Sequence, residues 1–288
     1  MSGVRAATVL ALWGAAYRCG AASPDAVLEE LASTGRSAGV RAADAGTASR
    51  AGLPGPGEAS TGSVALLELL RRGGRPSLVL PVAGDVRGLP PMSPALLPAL
   101  DAGAAVVLPD AGVAVVPSEG HWRVFPVLKE PAADVPVVPP EPPRLFDAER
   151  DLDGAIRSAT AQLSRLDVAR GADGVRDKIA AAMRRAALNV PHGSSRAHRH
   201  GSMLLAKVAS LEALLQVAAS HETAAVTRHQ LASMDDALRP LAAAVRSGRL
   251  AAVFELIEDL TVGCRPATDQ KADPRWAVAE RDHRDRRN

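Results

Sequence analysis

Aromatic residues are scarce in this sequence. Phe, Trp and Tyr make up 2% of the 288 residues, whereas 47% of the residues are hydrophobic. A core with so few rings has to be packed by Ala, Leu and Val, which favours close contacts between helices. Because sequence-independent binding of single-stranded nucleic acids uses exposed rings as stacking platforms, this scarcity argues against a nucleic-acid stacking surface.

An excess of charge of one sign is also absent. The chain has 34 basic and 32 acidic residues, a formal net charge of +2, so no global field favours DNA or a membrane surface. Six basic residues lie on two predicted helices, and such a cluster could bind the phosphate backbone of DNA. They are Arg165, Arg170, Arg176, Lys178, Arg184 and Arg185. Acidic residues at 167, 173 and 177 dilute this patch, so we interpret it as a solvated helix face and expect no nucleic-acid partner.

Cysteine is limited to Cys19 and Cys264. Two cysteines are too few for a disulfide framework, and without a CxxC motif they predict no zinc or redox site. We therefore expect two reduced thiols in a cytoplasmic protein. The apolar stretch near the N-terminus has the one-sided pattern of an amphipathic helix rather than a signal peptide. No run approaches the ~20 unbroken apolar residues of a membrane-spanning helix, which predicts a soluble protein without a membrane partner.

Residues 1–128 have the pattern of a small α+β domain. Three amphipathic helices are predicted before residue 73, and turn signals separate the short apolar runs that follow them. Glycine and proline between these runs predict an antiparallel meander of strands. Residues 35–62 are rich in Gly, Ala, Ser and Pro, which predicts a flexible connection with a short edge strand at Gly39–Ala42.

The second half of the chain has a different pattern. Residues 129–144 are rich in proline and predict an extended linker. Over 145–262 apolar residues recur every three or four positions, which predicts an antiparallel helical bundle. Residues 263–288 are polar and charged, and predict a disordered tail. The predicted fold class is therefore α+β, with a small N-terminal domain of helices and an antiparallel meander followed by an antiparallel helical bundle.

The strongest candidate for a site is the stretch SLVLPVAGDVRGLPP, residues 77–91. A short buried strand is followed by a loop that holds Gly84, Asp85, Arg87 and Gly88. The glycines allow positive φ and the later prolines fix the direction of the chain, so the loop could present Asp85 and Arg87 to a ligand or a partner. Without a neighbouring His, Cys or second carboxylate, a structural role of these two side chains in fixing the loop is favoured.

Motifs for metal binding and catalysis are incomplete. His192, His198 and His200 in PHGSSRAHRH could bind zinc or nickel, but two arginines lie among them and no acid or cysteine is close in sequence. We interpret them as part of a solvated helix start and expect no metal or cofactor. Residues 35–39 match GxSxG without the strand and helix that a nucleophile elbow requires. His221 lacks the second histidine of HExxH. These patterns do not favour an enzyme.

Three segments resemble an uncharacterised family of actinobacterial proteins: WGAAYRCGAASPDAVLEEL, GRPSLVLPVAGDVRGLPP and ALRPLAAAVRSGRLAAV. The resemblance spans about Val9 to Ile257 and implies no activity, cofactor or catalytic residue. The sequence favours a cytoplasmic interaction or regulatory protein that acts by surface contact with a protein partner, through the meander loop or a bundle face. The alternative is a small-molecule-binding protein or enzyme with its site at the Gly84–Gly88 loop. A deep pocket where Asp85, Arg87 and other polar groups converge would favour this alternative.

Overall fold

The structure is a computed structural model, described here for residues 3–35, 39–128, 141–165, 175–220, 228–262 and 264. In the first half of the chain the elements are α1 Gly3–Arg18, α2 Pro24–Ser33, β1 Val40–Ala42, α3 Ala45–Ala51, α4 Val64–Arg72, β2 Ser77–Val79, α5 Leu96–Ala102, β3 Ala105–Leu108, β4 Val113–Pro117 and β5 Trp122–Pro126. The second half contains α6 Leu145–Arg165, α7 Val175–Ala186, α8 Arg196–Ser220 and α9 Arg228–Val262.

The five strands form one mixed sheet in the order β1-β5-β4-β3-β2. From β2 to β5 each strand pairs antiparallel with the next, which confirms the predicted meander. A short 3₁₀ turn at Pro109–Ala111 joins β3 to β4 and ends at Gly112, whose φ of 62° favours glycine. The predicted edge strand is also confirmed, since β1 lies at one edge of the sheet and pairs parallel with β5.

The segment predicted as a flexible connection, 35–62, contains β1 and α3 within its described residues. Helix α3 begins after Asp44, whose carboxylate accepts hydrogen bonds from the backbone N of Thr47 at 2.8 Å and from its Oγ1 at 2.7 Å. It ends at Gly52, which has a φ of 63°. Such side-chain and glycine caps satisfy the unpaired backbone groups at both ends of a helix. Capping therefore supports a helix that the composition of this segment did not indicate.

The second half is helical in its described residues. Helices α6 and α8 pack on α9, and α7 packs on α8. The α+β fold class with a helical C-terminal part is therefore confirmed. Within the described chain, residues 196–219 of α8 are long and apolar enough to cross a membrane by length and composition, and 33% of this stretch is buried. Core helices of soluble proteins meet the same criterion.

Helix α1 lies at the centre of the main apolar core. It contacts α9 and the strands β2, β3 and β4. Helix α4 also packs closely on α1, because position 14 is a glycine and a Cβ atom there would lie only 2.8 Å from Leu70 Cδ2. The core extends from the sheet through α1 to α6, α8 and α9, whereas a smaller cluster fills the space between the opposite sheet face and α5. The domain boundaries at 128 and 145 stay predictions.

A disulfide joins Cys19 after α1 to Cys264 after α9. The two Cα atoms are 4.6 Å apart, within the range for such a bond, so the interpretation as two reduced thiols is wrong for this structure. Disulfides are uncommon in the cytoplasm, and the cytoplasmic location stays a prediction. Cys264 belongs to the segment predicted to be disordered. The rest of that segment, and residues 129–140 of the predicted linker, lie outside the described residues.

Candidate functional site

A cavity of about 540 Å³ lies between α9 and the segment that contains β2 and the loop after it. We call it the β2–α9 cavity. Apolar side chains from both elements line it: Leu78, Leu80, Leu250, Val253, Phe254 and Ile257. A third side of the cavity is formed by the segment just before α6, with Glu141, Pro142 and Pro143. The cavity thus combines an apolar lining with charged groups near its two ends.

The loop after β2 is held in place by a tight turn. Val82 and Asp85 exchange two backbone hydrogen bonds of 2.9 Å, and Gly84 between them has a φ of 85°. A positive φ at the third residue is what a type II turn requires, and glycine adopts it without strain. The turn therefore gives the Asp85 side chain a defined position beside the cavity.

Asp85 joins two arginines at this end of the cavity, which we call the loop end. Arg87 donates from Nε to Oδ1 and from Nη2 to Oδ2 of Asp85, both at 2.8 Å. Arg246 on α9 donates from Nη2 to Asp85 Oδ2 at 2.6 Å and from Nη1 to the carbonyl oxygen of Leu80 at 3.1 Å. Asp85 thus pairs with its neighbour in the loop, and Arg246 links the loop to α9.

Hydrogen bonds from Arg87, and then from Arg246, hold the pKa of Asp85 well below its ordinary value. A general base works best when its pKa lies near the working pH. With so low a pKa, Asp85 stays ionised at neutral pH and is a poor proton acceptor. The loop end is therefore suited to binding and orientation rather than to proton transfer.

We expect Asp85→Asn to lower the free energy of unfolding by an amount that is constant above about pH 4 and shrinks below it. Because the folded-state pKa lies below the unfolded value of about 3.9, the stabilisation is complete above that value and is lost as the pH falls toward the folded-state pKa. Urea unfolding of both proteins between about pH 7 and pH 3 measures this difference.

Asp151→Asn is the control, because Asp151 lines the same cavity but its side chain is 68% exposed. We expect this variant to change the free energy of unfolding at neutral pH by less than about 1 kcal/mol, because exposed ion pairs contribute little. A stability difference for Asp85→Asn that already declines between about pH 7 and pH 5 would contradict the assignment of the low pKa to Asp85.

The opposite end of the cavity, which we call the far end, is lined by Arg75 and Phe254, and Glu258 lies beside Arg75. Arg75 forms an ion pair with Glu258, and its guanidinium carbon lies 4.7 Å from the centre of the Phe254 ring. Burial lowers the pKa of Arg75, an effect that Glu141 opposes. Twelve positions of α9 separate Arg246 from Glu258, a distance of about 18 Å along the helix. The cavity therefore follows α9 between two charged ends.

The structure places the predicted loop residues at this site. Asp85, Arg87 and Gly88 line the cavity, and Gly84 forms the turn. Sequence reasoning missed Arg246, which is far from the loop in sequence. A signal for it exists, because Arg246 lies on the same helical face as Leu250 and Val253 and so interrupts an apolar stripe.

The three predicted histidines do not converge. His192 is exposed, His198 is buried with Nδ1 3.3 Å from Asp259 Oδ2, and His200 Nε2 lies 2.7 Å from Glu149 Oε2. The interpretation as a solvated helix start is therefore wrong for His198. In the part of the chain that the structure describes, no three His, Cys, Asp or Glu side chains are grouped to hold a metal ion.

The structure gives only partial information on the GxSxG match, the HExxH-like segment and the basic helix face. Ser37 of the GxSxG match and His221 both lie outside the described residues. Of the six basic residues, the four on α7 are exposed, in agreement with a solvated helix face. These four are Arg176, Lys178, Arg184 and Arg185.

Two models of one protein family match this chain. The model of the Rv1486c-like protein, N-terminal domain, matches residues 7–136, and that of the C-terminal domain matches residues 146–250. Asp85 and Arg87 lie in the first matched segment and Arg246 lies in the second. The loop end of the cavity therefore joins residues from both matched domains.

Mycobacterial proteins are similar along most of their length. An uncharacterised protein of Mycobacterium tuberculosis H37Rv is 33% identical over 286 residues, which cover 86% of this chain and 96% of the relative. Uncharacterised proteins of Mycobacterium leprae and Mycobacterium avium are 31% and 28% identical, with the same coverage. No solved structure gives a significant match.

Proposed function

This chain belongs to the Rv1486c-like family of actinobacterial proteins, and we propose that it is a small-molecule-binding protein whose ligand occupies the β2–α9 cavity. The observation that supports this proposal is the convergence of Asp85, Arg87 and Arg246 at one end of an apolar cavity. Ligand sites in proteins combine an apolar lining with a few fixed polar groups, in cavities of ~300–1,000 Å³. The volume of about 540 Å³ lies within that range.

Binding is a better proposal than catalysis for this site. The polar groups at the loop end are a carboxylate with a low pKa and two guanidinium groups. Arginine stays protonated at neutral pH and acts through hydrogen bonds and charge. Such groups position a ligand without exchanging protons with it.

The interaction or regulatory role favoured by the sequence stays a prediction, as does a protein partner. A pocket with converging polar groups is the condition that favours the small-molecule alternative over surface contact. Ligand sites are concave and hold polar groups in fixed positions, whereas a protein-interaction surface of standard size is a broad patch of ~800 Å² on each partner. The geometry at the loop end matches the first description.

We expect a neutral apolar fluorophore, anilinonaphthalene, to bind the protein saturably, and Ala244→Trp to weaken this binding at least about tenfold. Ala244 lines the cavity, so an indole at this position fills the space that the probe needs. Fluorescence titration measures both dissociation constants.

Ala242→Trp is the matched control, because Ala242 lies on the same helix but is exposed and is not part of the cavity lining. This variant should bind the probe as the wild type does. Ser247→Trp provides a second cavity-filling variant, and the melting temperature of each variant shows that it folds. Equal binding by the cavity-filling variants and the control would overturn the proposal.

A further inference from the structure

We infer that the ligand of the β2–α9 cavity is an anion, an amphipathic molecule whose acidic head group is bound by Arg87 and Arg246 at the loop end. This inference rests on the proposed function, because it assigns a chemical class to the same ligand. It follows from three features of the cavity: the hydrogen-bonding state of Asp85, the unused donors of the arginines and the difference in charge between the two ends.

The first feature is that Asp85 has no acceptor capacity left for a ligand. An ionised carboxylate offers about four acceptor positions. Oδ1 accepts two hydrogen bonds from Arg87, one from Nε and one of 3.4 Å from the backbone N. Oδ2 accepts one hydrogen bond from Arg87 Nη2 and one from Arg246 Nη2. A cationic or hydroxyl group of a ligand therefore finds no open acceptor on this side chain.

The second feature is that the arginines retain donors. Each guanidinium has five N–H donors. Towards the described residues, Arg87 uses two nitrogen atoms on Asp85, and Arg246 uses two on Asp85 and Leu80. Two guanidinium groups also face the one carboxylate of Asp85, so these three side chains carry a formal charge of +1. Asp151 lines the cavity as well, but its side chain is 68% exposed and pairs with Arg150. An incoming acceptor with negative charge suits both the donors and the field.

The third feature is the difference between the two ends. At the far end, Arg75 faces Glu258 and Glu141, so one positive charge faces two negative ones. An anionic head group is therefore favoured at the loop end and disfavoured about 18 Å away at the far end. The apolar lining between the ends is suited to an elongated hydrocarbon or ring body.

The arginines are also held in place before a ligand arrives. Arg246 is 21% exposed, and its bonds to Asp85 and Leu80 fix its plane. Arg87 is 80% exposed but forms a two-bond pair with Asp85. Groups that are already fixed lose little conformational entropy on binding, which favours affinity. Carboxylate and phosphate head groups both match the planar fork of a guanidinium.

The test compares two probes that differ by one charged group, neutral anilinonaphthalene and anilinonaphthalene sulfonate. We expect the wild type to bind the sulfonate about fivefold more tightly than the neutral probe. Arg87→Gln should reduce this preference to within about twofold, because the side chain no longer offers a positive charge to the sulfonate group. Arg199→Gln is the control, because Arg199 is an exposed arginine on α8 and should leave the preference intact.

Competition then identifies the head group. Decanoate and decyl phosphate should displace the sulfonate probe, whereas decyltrimethylammonium should not. The more effective of the two acids shows whether a carboxylate or a phosphate is preferred.

Equal displacement by the cationic amphiphile, or an equal preference for the sulfonate probe in wild type and Arg87→Gln, would overturn the inference. If one of these two results is obtained but the wild type still binds the neutral probe saturably, the inference about the anion fails and the proposed function stands. If the neutral probe does not bind saturably, the proposed function itself fails.

Discussion

Replacement of Cys19 by serine is expected to lower the free energy of unfolding by about 4 kcal/mol, one of the two largest effects of a single substitution that we expect. The Cys19–Cys264 disulfide closes a loop with a sequence separation of 245 residues. In the chain-entropy model, the stabilisation by a disulfide grows slowly with loop length and reaches nearly 5 kcal/mol for a loop of ~100 residues. For a protein of this size, such a loss corresponds to a fall in melting temperature of about 10 °C.

Thermal unfolding of the wild type and the variant, with and without a reducing agent, measures this effect. Cys264→Ser should give the same result as Cys19→Ser, because either substitution removes the same bond. The reducing agent should lower the melting temperature of the wild type to that of the variants and leave both variants unchanged. A wild type that melts at the same temperature under oxidising and reducing conditions would contradict a stabilising role for the bond.

The disulfide also bears on the candidate site. It fixes the end of α9 to the end of α1, and α9 carries Arg246 as well as Phe254. Strand β2, which precedes the loop, contacts both α1 and α9. The bond therefore closes the arrangement of sheet, α1 and α9 in which the cavity is formed. Reduction should then weaken the binding of the neutral probe together with the stability.

The parts of the fold that the sequence predicts are those with local causes. Helix α2 is capped by Ser23, whose side chain accepts a hydrogen bond from the backbone N of Ala26, and its first residue is a proline. The β3–β4 hairpin has its proline and glycine at the turn. In both cases the residues that determine the structure are neighbours in the chain, so their pattern is visible without knowledge of the fold.

The parts that the sequence does not predict depend on contacts between distant residues or on weak patterns. Nothing in the surroundings of Cys19 indicates that Cys264 lies beside it, because α1 and α9 meet only through packing. Helix α3 has a composition typical of a loop and is visible mainly through its caps at Asp44 and Gly52.

The candidate site divides in the same way. Asp85 and Arg87 stand out in the sequence because a glycine-containing turn directly after a strand is a local pattern. Arg246 contributes from α9, and its role depends on how that helix packs beside β2. The cavity exists only through this packing, so its charge distribution could not be derived from the loop alone.

The second large effect is expected at an ion pair between Glu212 on α8 and Arg249 on α9. The side chain of Arg249 is only 2% exposed. It donates one hydrogen bond from Nη2 to Glu212 Oε2 at 2.6 Å and another from Nη1 to Thr8 Oγ1 at 3.3 Å. Burial lowers the pKa of Arg249, an effect that Glu212 opposes. The carboxylate thus compensates a cation that lies between α1, α8 and α9.

We expect Glu212→Leu to lower the free energy of unfolding by about 3 kcal/mol, and Arg249→Met to lower it by much less. The first substitution leaves a buried cation without its counter-charge, which is among the most costly changes in a protein interior. The second replaces the cation by an apolar side chain of similar length and leaves Glu212, which is 26% exposed, in contact with water. Urea unfolding at neutral pH measures both values.

The Lys207–Asp153 pair provides the control, because its side chains are 38% and 42% exposed and Lys207→Met should cost less than about 1 kcal/mol. The double variant Arg249→Met with Glu212→Leu should recover most of the loss caused by Glu212→Leu alone, since no unpaired buried charge remains. Recovery would show that the cost arises from desolvation of Arg249 rather than from lost packing of Glu212. A double variant as unstable as the sum of the single variants would contradict this explanation.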